Sequence, residues 1–390
     1  MMPYALPPAE TKLPLKALAR VLLPGRHNFE EKLSRFLNAE RCILANSART
    51  LLYMVFLHLR SSLDRGQDEV LIPGYTCYSL PAAVVKAGLK VSLYDMNPAT
   101  FKPDFEDVRR KISGRTMAVV GQHLLGVDSD ISKLAKLASE KGIFCIDDSA
   151  QLFSNGWKKD DKSAADYTIY SFGRGKPLPL GSGGLLVSYT GREINAIRSR
   201  LIVHPSKNGR SLMPLAVRIL SNPAFYWSME KLPLGLGRTI YDPGFPVSGM
   251  SRFYQRLGEY ALNDFERLNR HRSMISKIYA DHLEPGNAFR NKTAVSSPHV
   301  RYPLLADSNK RAEDLVNYGV RRMYPRALCD LEPLREHLTG SPAKTPGARE
   351  ISRRLVTLPT HQRITEKMAI KIANEAIKVL GGITLVTPDG

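Results

Sequence analysis

The chain has 390 residues, 43% of them hydrophobic and 24% charged, which excludes a disordered or fibrous protein and leaves room for two domains, or one large domain with an appendage. Basic residues outnumber acidic ones 56 to 37, a formal charge of +19 that fits nucleic acid, an anionic membrane or phosphorylated small molecules. The basic residues are dispersed and no nucleic-acid-binding module accompanies them, so no nucleic-acid partner is expected.

In chain order, basic and apolar residues at helical spacing from Ala17 to Leu37, interrupted at Pro24-Gly25, predict two short helices. A strand over Cys42–Ala45 then meets Asn46-Ser47-Ala48-Arg49-Thr50 and a helical run, Leu51–Leu59. A strand, a small polar turn and a helix aim free N–H groups and a helix dipole at an anion. Strands follow at Glu69–Pro73, Lys90–Asp95, Met117–Gln122 and Ile143–Ile146, with helices at Pro81–Ala87, Phe105–Ile112 and Asp130–Lys141, the last stopped by Gly142. After the glycine- and proline-rich turn of Tyr170–Gly184 come the strand Leu185–Tyr189 and the helix Glu193–Leu201. Residues 206–247 read as irregular with short helices. Apolar recurrence predicts one long helix from Phe253 to Leu283. Beyond it come strands at Val300–Leu304 and Arg354–Leu358, helices at Lys310–Tyr318 and Thr365–Leu380, and a tail of uncertain order from Gly381 to Gly390.

Alternating strands and helices predict the α/β class, with a mostly parallel sheet sandwiched by helices and a smaller α+β C-terminal domain. The expected partition is a large domain over residues 1–250, a bridging helix over 251–283 and the small domain over 284–390. Cys42, Cys77, Cys145 and Cys329 lack metal-ligand spacing, so free thiols in a reducing compartment and no metal are expected. No secretory leader is expected from the start of the chain. The apolar stretches 13–23 and 212–220 are too short and too charged for a span of ~20 apolar residues. A cytoplasmic protein is the resulting expectation.

Ligands in such sheets bind at the carboxyl ends of the strands, which places Ser47, Tyr75, His123, Asp148 and the Lys176 turn on one rim. A lysine, a strand-end aspartate and an anion-binding turn suit pyridoxal 5′-phosphate, which needs an amine for its aldehyde, a carboxylate for its ring nitrogen and donors for its phosphate. Lys176 and Asp148 would take the first two roles, and Ser171 with the Ala48-Arg49 turn would hold phosphate. Tyr75 or Tyr78 could stack on the ring, while His123 and Arg174 are candidates for substrate contact. Each also has an ordinary structural reading: Asp148 as a helix cap, Ser171 as a strand-end hydroxyl, the tyrosines as partial core, and His123 as a hydrogen-bonded histidine.

Three segments in order, Ile146-Asp147-Asp148-Ser149-Ala150-Gln151, Tyr170-Ser171-Phe172-Gly173-Arg174-Gly175-Lys176 and Gly181-Ser182-Gly183-Gly184, resemble the signature of the DegT-type nucleotide-sugar aminotransferases, fold-type I pyridoxal phosphate enzymes. Further resemblance lies in Pro73-Gly74-Tyr75-Thr76-Cys77, Gln122–Gly126, Phe265–Leu268 with Arg272, and Val356–His361. It implies that Lys176 bonds the cofactor, Asp148 partners the ring nitrogen, Gln151 contacts the ring hydroxyl and Ser171 the phosphate. It also implies a homodimer that moves an amino group, usually from glutamate, to a nucleotide-linked keto sugar in surface polysaccharide or natural-product biosynthesis. Lys176 disfavours the related dehydratases, where histidine replaces the lysine. Three departures stand out: Arg49 where the family's phosphate turn has threonine, Ser182 where an acidic residue is usual, and no recognisable partner-subunit asparagine segment near Phe245–Met250. Two alternatives stay open. One is a lipid-linked or membrane-delivered substrate, with peripheral contact to an anionic membrane suggested by the charge; the other is a catalytically silent regulator with the same fold.

Overall fold

The computed structural model describes residues 6–9, 21, 28–39, 41–62, 66–153, 165–192, 194–202, 240–283, 298–307, 309–340 and 344–386. The first of the two helices expected between Ala17 and Leu37, and most of the irregular segment 206–247, lie outside them.

Helix α1 (Phe29–Leu37) is capped by Asn28, whose side chain accepts the Glu31 N–H, and is followed by β1 (Arg41–Ala45) and α2 (Ala48–Ser62). The chain then alternates through β2 (Glu69–Pro73), α3 (Ser79–Lys86), β3 (Lys90–Tyr94), α4 (Phe105–Lys111), β4 (Thr116–Gln122), α5 (Ile131–Glu140) and β5 (Phe144–Asp148). Strands β6 (Tyr167–Ser171) and β7 (Gly184–Ser188) and helix α6 (Asn195–Ile202) follow. The seven strands form one sheet in the order β1-β7-β6-β5-β4-β2-β3. Pairing is parallel from β3 to β6, and β7 runs antiparallel to both β6 and β1. Strands β2 and β4 are buried along their whole length, the continuous apolar burial that a sheet covered on both faces requires. One core joins the sheet to α2, α3 and α5, and another packs Phe29 and Leu33 of α1 against Tyr170, Phe172 and Val187.

The long helix expected over Phe253–Leu283 is two helices, α7 (Arg252–Asn263) and α8 (Phe265–Leu283). The break falls at Asp264, whose N–H bonds back to Ala261 O at 3.2 Å, a tight turn that ends the α-helical ladder. It lets Phe265 enter an aromatic cluster, with ring centroids 5.0 Å from Phe153 and 5.8 Å from Phe36.

A second sheet of four strands, β8 (Arg301–Ala306), β9 (Arg321–Arg322), β10 (Leu355–Pro359) and β11 (Ile383–Leu385), has the order β11-β8-β10-β9. Helices α9 (Pro346–Arg354) and α10 (Glu366–Leu380) accompany it, the latter capped by Thr365. Two expectations are corrected here. Asn309–Tyr318 is a 3₁₀ run, not an α-helix, and the tail supplies strand β11, because Ile383, Thr384 and Leu385 pair in antiparallel register with Ala306, Leu305 and Leu304.

Candidate active site

At the carboxyl ends of the parallel strands lies a cavity of about 550 Å³. Ser47, Ala48, Arg49 and Leu52 line it from the start of α2, and Cys77, Ser79 and Leu80 from the turn after β2. Asp148 and Ala150 reach it from the end of β5, Ser171 and Lys176 from β6 and its following turn, and Ile240 and Asp242 from across the opening.

The turn that carries Lys176 is shaped by glycine. Gly175 sits at φ 67°, a left-handed angle that side chains other than glycine resist. Gly173 and Gly181 bridge in parallel, Lys176 N–H reaches Gly173 O at 3.3 Å, and Phe172 N–H reaches Gly183 O at 2.9 Å. Gly184 allows the closest approach: a Cβ there would lie 2.4 Å from the Ala48 nitrogen, so only glycine lets β7 press against the first residue of α2. Pro177 holds Lys176 away from helical geometry.

A residue distant in sequence locks this turn. Arg272 of α8, only 4% exposed, donates from Nη1 to Pro177 O at 2.7 Å and from Nη2 to Lys176 O at 3.3 Å. Burial lowers its pKa to about 9, so it stays charged at neutral pH, held by backbone carbonyls and by Asn269 Oδ1 at 3.3 Å. Arg272→Leu should leave two inward-facing carbonyls without donors and destabilise the protein by about 1–3 kcal/mol in urea denaturation. Arg272→Lys should recover only part of this, because an ammonium cannot span both carbonyls as a planar fork does. Full recovery in the lysine variant would show that charge alone holds the turn.

Asp148 is buried, and burial pushes its carboxyl above its ordinary range while the Lys176 charge and the Ala150 N–H, 3.1 Å from Oδ1, pull it back. Across the cavity Ser47 caps α2, its Oγ accepting the Thr50 N–H at 3.2 Å. The first N–H groups of α2 have no acceptor within the helix, which makes this end an anion site. Arg49 lies 4.3 Å over the Phe245 ring and donates to Asp242 O at 3.4 Å. Burial lowers its pKa and Asp242 opposes that shift. Pyridoxal phosphate fits this donor set: an amine, a carboxylate, two serine hydroxyls, a helix start and an arginine line one cavity.

Lys176, Asp148, Ser171, Ala48 and Arg49 are thus brought together, and five other candidates are not. Tyr75 and Tyr78 turn away, their hydroxyls donating to Met323 O at 2.6 Å and Arg326 O at 3.1 Å. Gln151 does not line the cavity, its oxygen taken by the Leu125 N–H and its nitrogen donating to Tyr324 Oη at 2.8 Å. Arg174 is exposed and does not line the cavity. His123 faces a separate cavity of about 110 Å³ with Asp147, Ser149 and Tyr170. There its Nε2 is 3.3 Å from Asp147 Oδ1, and although burial pulls its pKa down, Asp147 and Asp128 raise it overall. Sequence reasoning missed Cys77, Ser79, Leu80 and Asp242. The first three follow the rim turn at Tyr75, whereas nothing local marks Asp242.

The family model described as the DegT/DnrJ/EryC1/StrS aminotransferase family matches residues 21–376. A dTDP-4-dehydro-2,3,6-trideoxy-D-glucose 4-aminotransferase of Saccharopolyspora spinosa is 23% identical, over 92% of this chain and 89% of its own length. A GDP-perosamine synthase of Vibrio cholerae is 28% identical over 41% of this chain and 43% of its own, less than half of each. Among solved structures, the pyridoxamine phosphate form of a putative sugar aminotransferase, Spr1654, from Streptococcus pneumoniae superposes with a TM-score of 0.73 at 18% identity, covering 97% of both chains. Matched over nearly its whole length, this chain belongs to the DegT/DnrJ/EryC1/StrS aminotransferase family and is a pyridoxal phosphate-dependent aminotransferase.

Proposed function

We propose that the enzyme moves an amino group from glutamate to the keto group of a nucleotide-linked sugar, as a cytoplasmic homodimer, in surface polysaccharide or natural-product assembly. The observation that carries this is the meeting of Lys176, Asp148, Ser171 and the start of α2 in one cavity of about 550 Å³, in a chain whose relatives include proteins named as a GDP-perosamine synthase and a dTDP-4-dehydro-2,3,6-trideoxy-D-glucose 4-aminotransferase. In this reading residues 1–250 bind the cofactor, 251–283 form the bridge and 284–390 the small domain.

Bound pyridoxal phosphate supplies an electrophilic carbon and an electron sink. The chain's own residues do the rest. The Asp148 carboxylate would face the ring nitrogen and favour its protonated form. Lys176 Nζ would supply the amine that bonds the cofactor and, when free and neutral, the base that takes and returns a proton at the substrate carbon. Ser171 Oγ, the Ala48 N–H and the Arg49 guanidinium would hold the phosphate and so fix the cofactor's position.

Purified enzyme supplied with glutamate and a panel of nucleotide-linked keto sugars should release 2-oxoglutarate and an amino sugar from at least one member. Release with no panel member, but with a lipid-linked keto sugar in anionic vesicles, would replace this reading with a second one. That second reading is favoured by the +19 charge and places the enzyme peripherally on a membrane. Among the described residues, no helix is long and apolar enough to cross one.

A further inference from the structure

His123 stands off the cofactor cavity, yet it is bonded directly to a residue that lines it. It follows β4, which pairs in parallel with β5 so that Gln122 lies opposite Asp148. The His123 N–H donates to Asp148 O at 3.3 Å. Its ring reaches the preceding residue of β5, with Nε2 3.3 Å from Asp147 Oδ1, while Nδ1 lies 3.7 Å from Asp128 Oδ1. Ser149 Oγ, 2.9 Å from both Asp147 oxygens, donates to the same carboxylate. One buried histidine therefore grips the strand end twice, at Asp148 by its backbone and at Asp147 by its ring.

Charge gives this grip a chemical meaning. Asp147 and Asp148 are adjacent and both buried, and two such carboxylates disfavour each other's ionisation, most where water is excluded. A ring with a carboxylate within 4 Å of each nitrogen favours the doubly protonated imidazolium, whose charge offsets that of Asp147. The other titratable groups of that cavity are Asp130, paired with Lys102 Nζ at 3.1 Å, and Tyr170 and Tyr189, whose hydroxyls lie 3.2 Å apart. Among the described residues, His123 is thus the cation that faces Asp147. The balance at Asp148 agrees: burial raises its carboxyl, Lys176 and the Ala150 N–H lower it, Asp147 raises it and His123 lowers it. Lys176 acts as a base only when neutral, and Asp148 then loses that counter-charge, whereas the His123 charge lies on the far side of the sheet and stays.

We propose that His123 is a positioning residue of the transamination site: clasped to Asp147 and bonded to the Asp148 carbonyl, it offsets the Asp147 charge and keeps Asp148 a carboxylate at the cofactor face. The inference rests on the reading of Asp148 as the ring-nitrogen partner and deepens it. In cofactor-free protein, the Asp148 titration can be read as the difference in urea stability between each protein and its Asp148→Asn partner across pH. The contribution of Asp148 falls as pH rises and levels off above its folded midpoint. In a His123→Gln background, which keeps a donor for Asp147 but not the charge, that edge should move up by about half a pH unit or more. Adding Asp147→Asn should return it to within about 0.2 units of wild type, because both charges are then gone. With pyridoxal phosphate bound, the visible-absorbance midpoint should shift in His123→Gln and return in the double variant. An unmoved edge in His123→Gln, or no return in the double variant, would overturn the proposal and leave the cofactor assignment intact. Should His123→Gln fail to fold, ¹⁵N spectra of histidine-labelled wild type decide the matter. An imidazolium that keeps its proton about one unit above the ordinary histidine midpoint supports the proposal, and its absence overturns it. A wild type that stays colourless on reconstitution would remove the cofactor reading and this role with it.

Discussion

Lys176→Ala protein is expected to lose the visible absorbance of covalently held pyridoxal phosphate and to slow turnover by more than about 10³-fold, the scale of removing a nucleophile that is also the proton carrier. Lys176 is the one lysine lining the cavity among the described residues, so no neighbouring amine there can take over the covalent role. The residues proposed to hold the phosphate, Ala48, Arg49 and Ser171, are untouched by this change. The variant should therefore still bind the cofactor, without the covalent bond, and equilibrium dialysis would show it. The backbone of the turn should also survive, since Arg272 grips the carbonyls of Lys176 and Pro177 rather than the lysine side chain. Retained visible absorbance together with turnover above a hundredth of wild type, about 2.7 kcal/mol of lost transition-state stabilisation, would show that another amine does the work.

Asp148→Asn should produce a split result: turnover lower by about 10³-fold or more, and a cofactor-free protein at least as stable as wild type. Asparagine cannot hold a proton on the ring nitrogen as a carboxylate does, which removes the charge that makes the ring accept electrons. Stability follows from the pKa. Burial raises the Asp148 carboxyl above its ordinary value of 3.8, with Lys176 opposing. Between the unfolded and the raised folded value the native state binds more protons than the unfolded chain, so this group's contribution to stability falls as pH rises through that window. Above it the native state carries the full cost of a buried carboxylate. Asp148→Asn removes that cost and flattens this part of the profile, which urea melts of cofactor-free protein at several pH values would reveal. A variant less stable than wild type at neutral pH would mean that attraction to Lys176 outweighs desolvation.

Much of the scaffold was legible because its causes are local. Burial on both faces made β2 and β4 continuous apolar runs, and glycines at left-handed angles marked the turn around Lys176. The break at Asp264 was not legible, because apolar spacing continues across it and only the docking of Phe265 between Phe36 and Phe153 shows why the helix divides there. The edge strand Ile383–Leu385 was equally hidden, since an edge strand is specified largely by the strand it pairs with.

The amino-acid sequence by itself determined the α/β alternation, the rim that carries Ser47, Asp148 and the Lys176 turn, though not Tyr75 or His123, which stand off the cavity, and through family resemblance the cofactor. Tertiary structure decided which neighbours share a space. Along β5 successive side chains point to opposite faces, so Asp148 meets Lys176 while Asp147 meets His123 and Ser149 on the other side. Folding also brought in Arg272 and Asp242, whose contacts with the site cross long stretches of chain. A local pattern records backbone preference and burial, but such partners are set by how distant elements pack, and no short stretch of sequence encodes that.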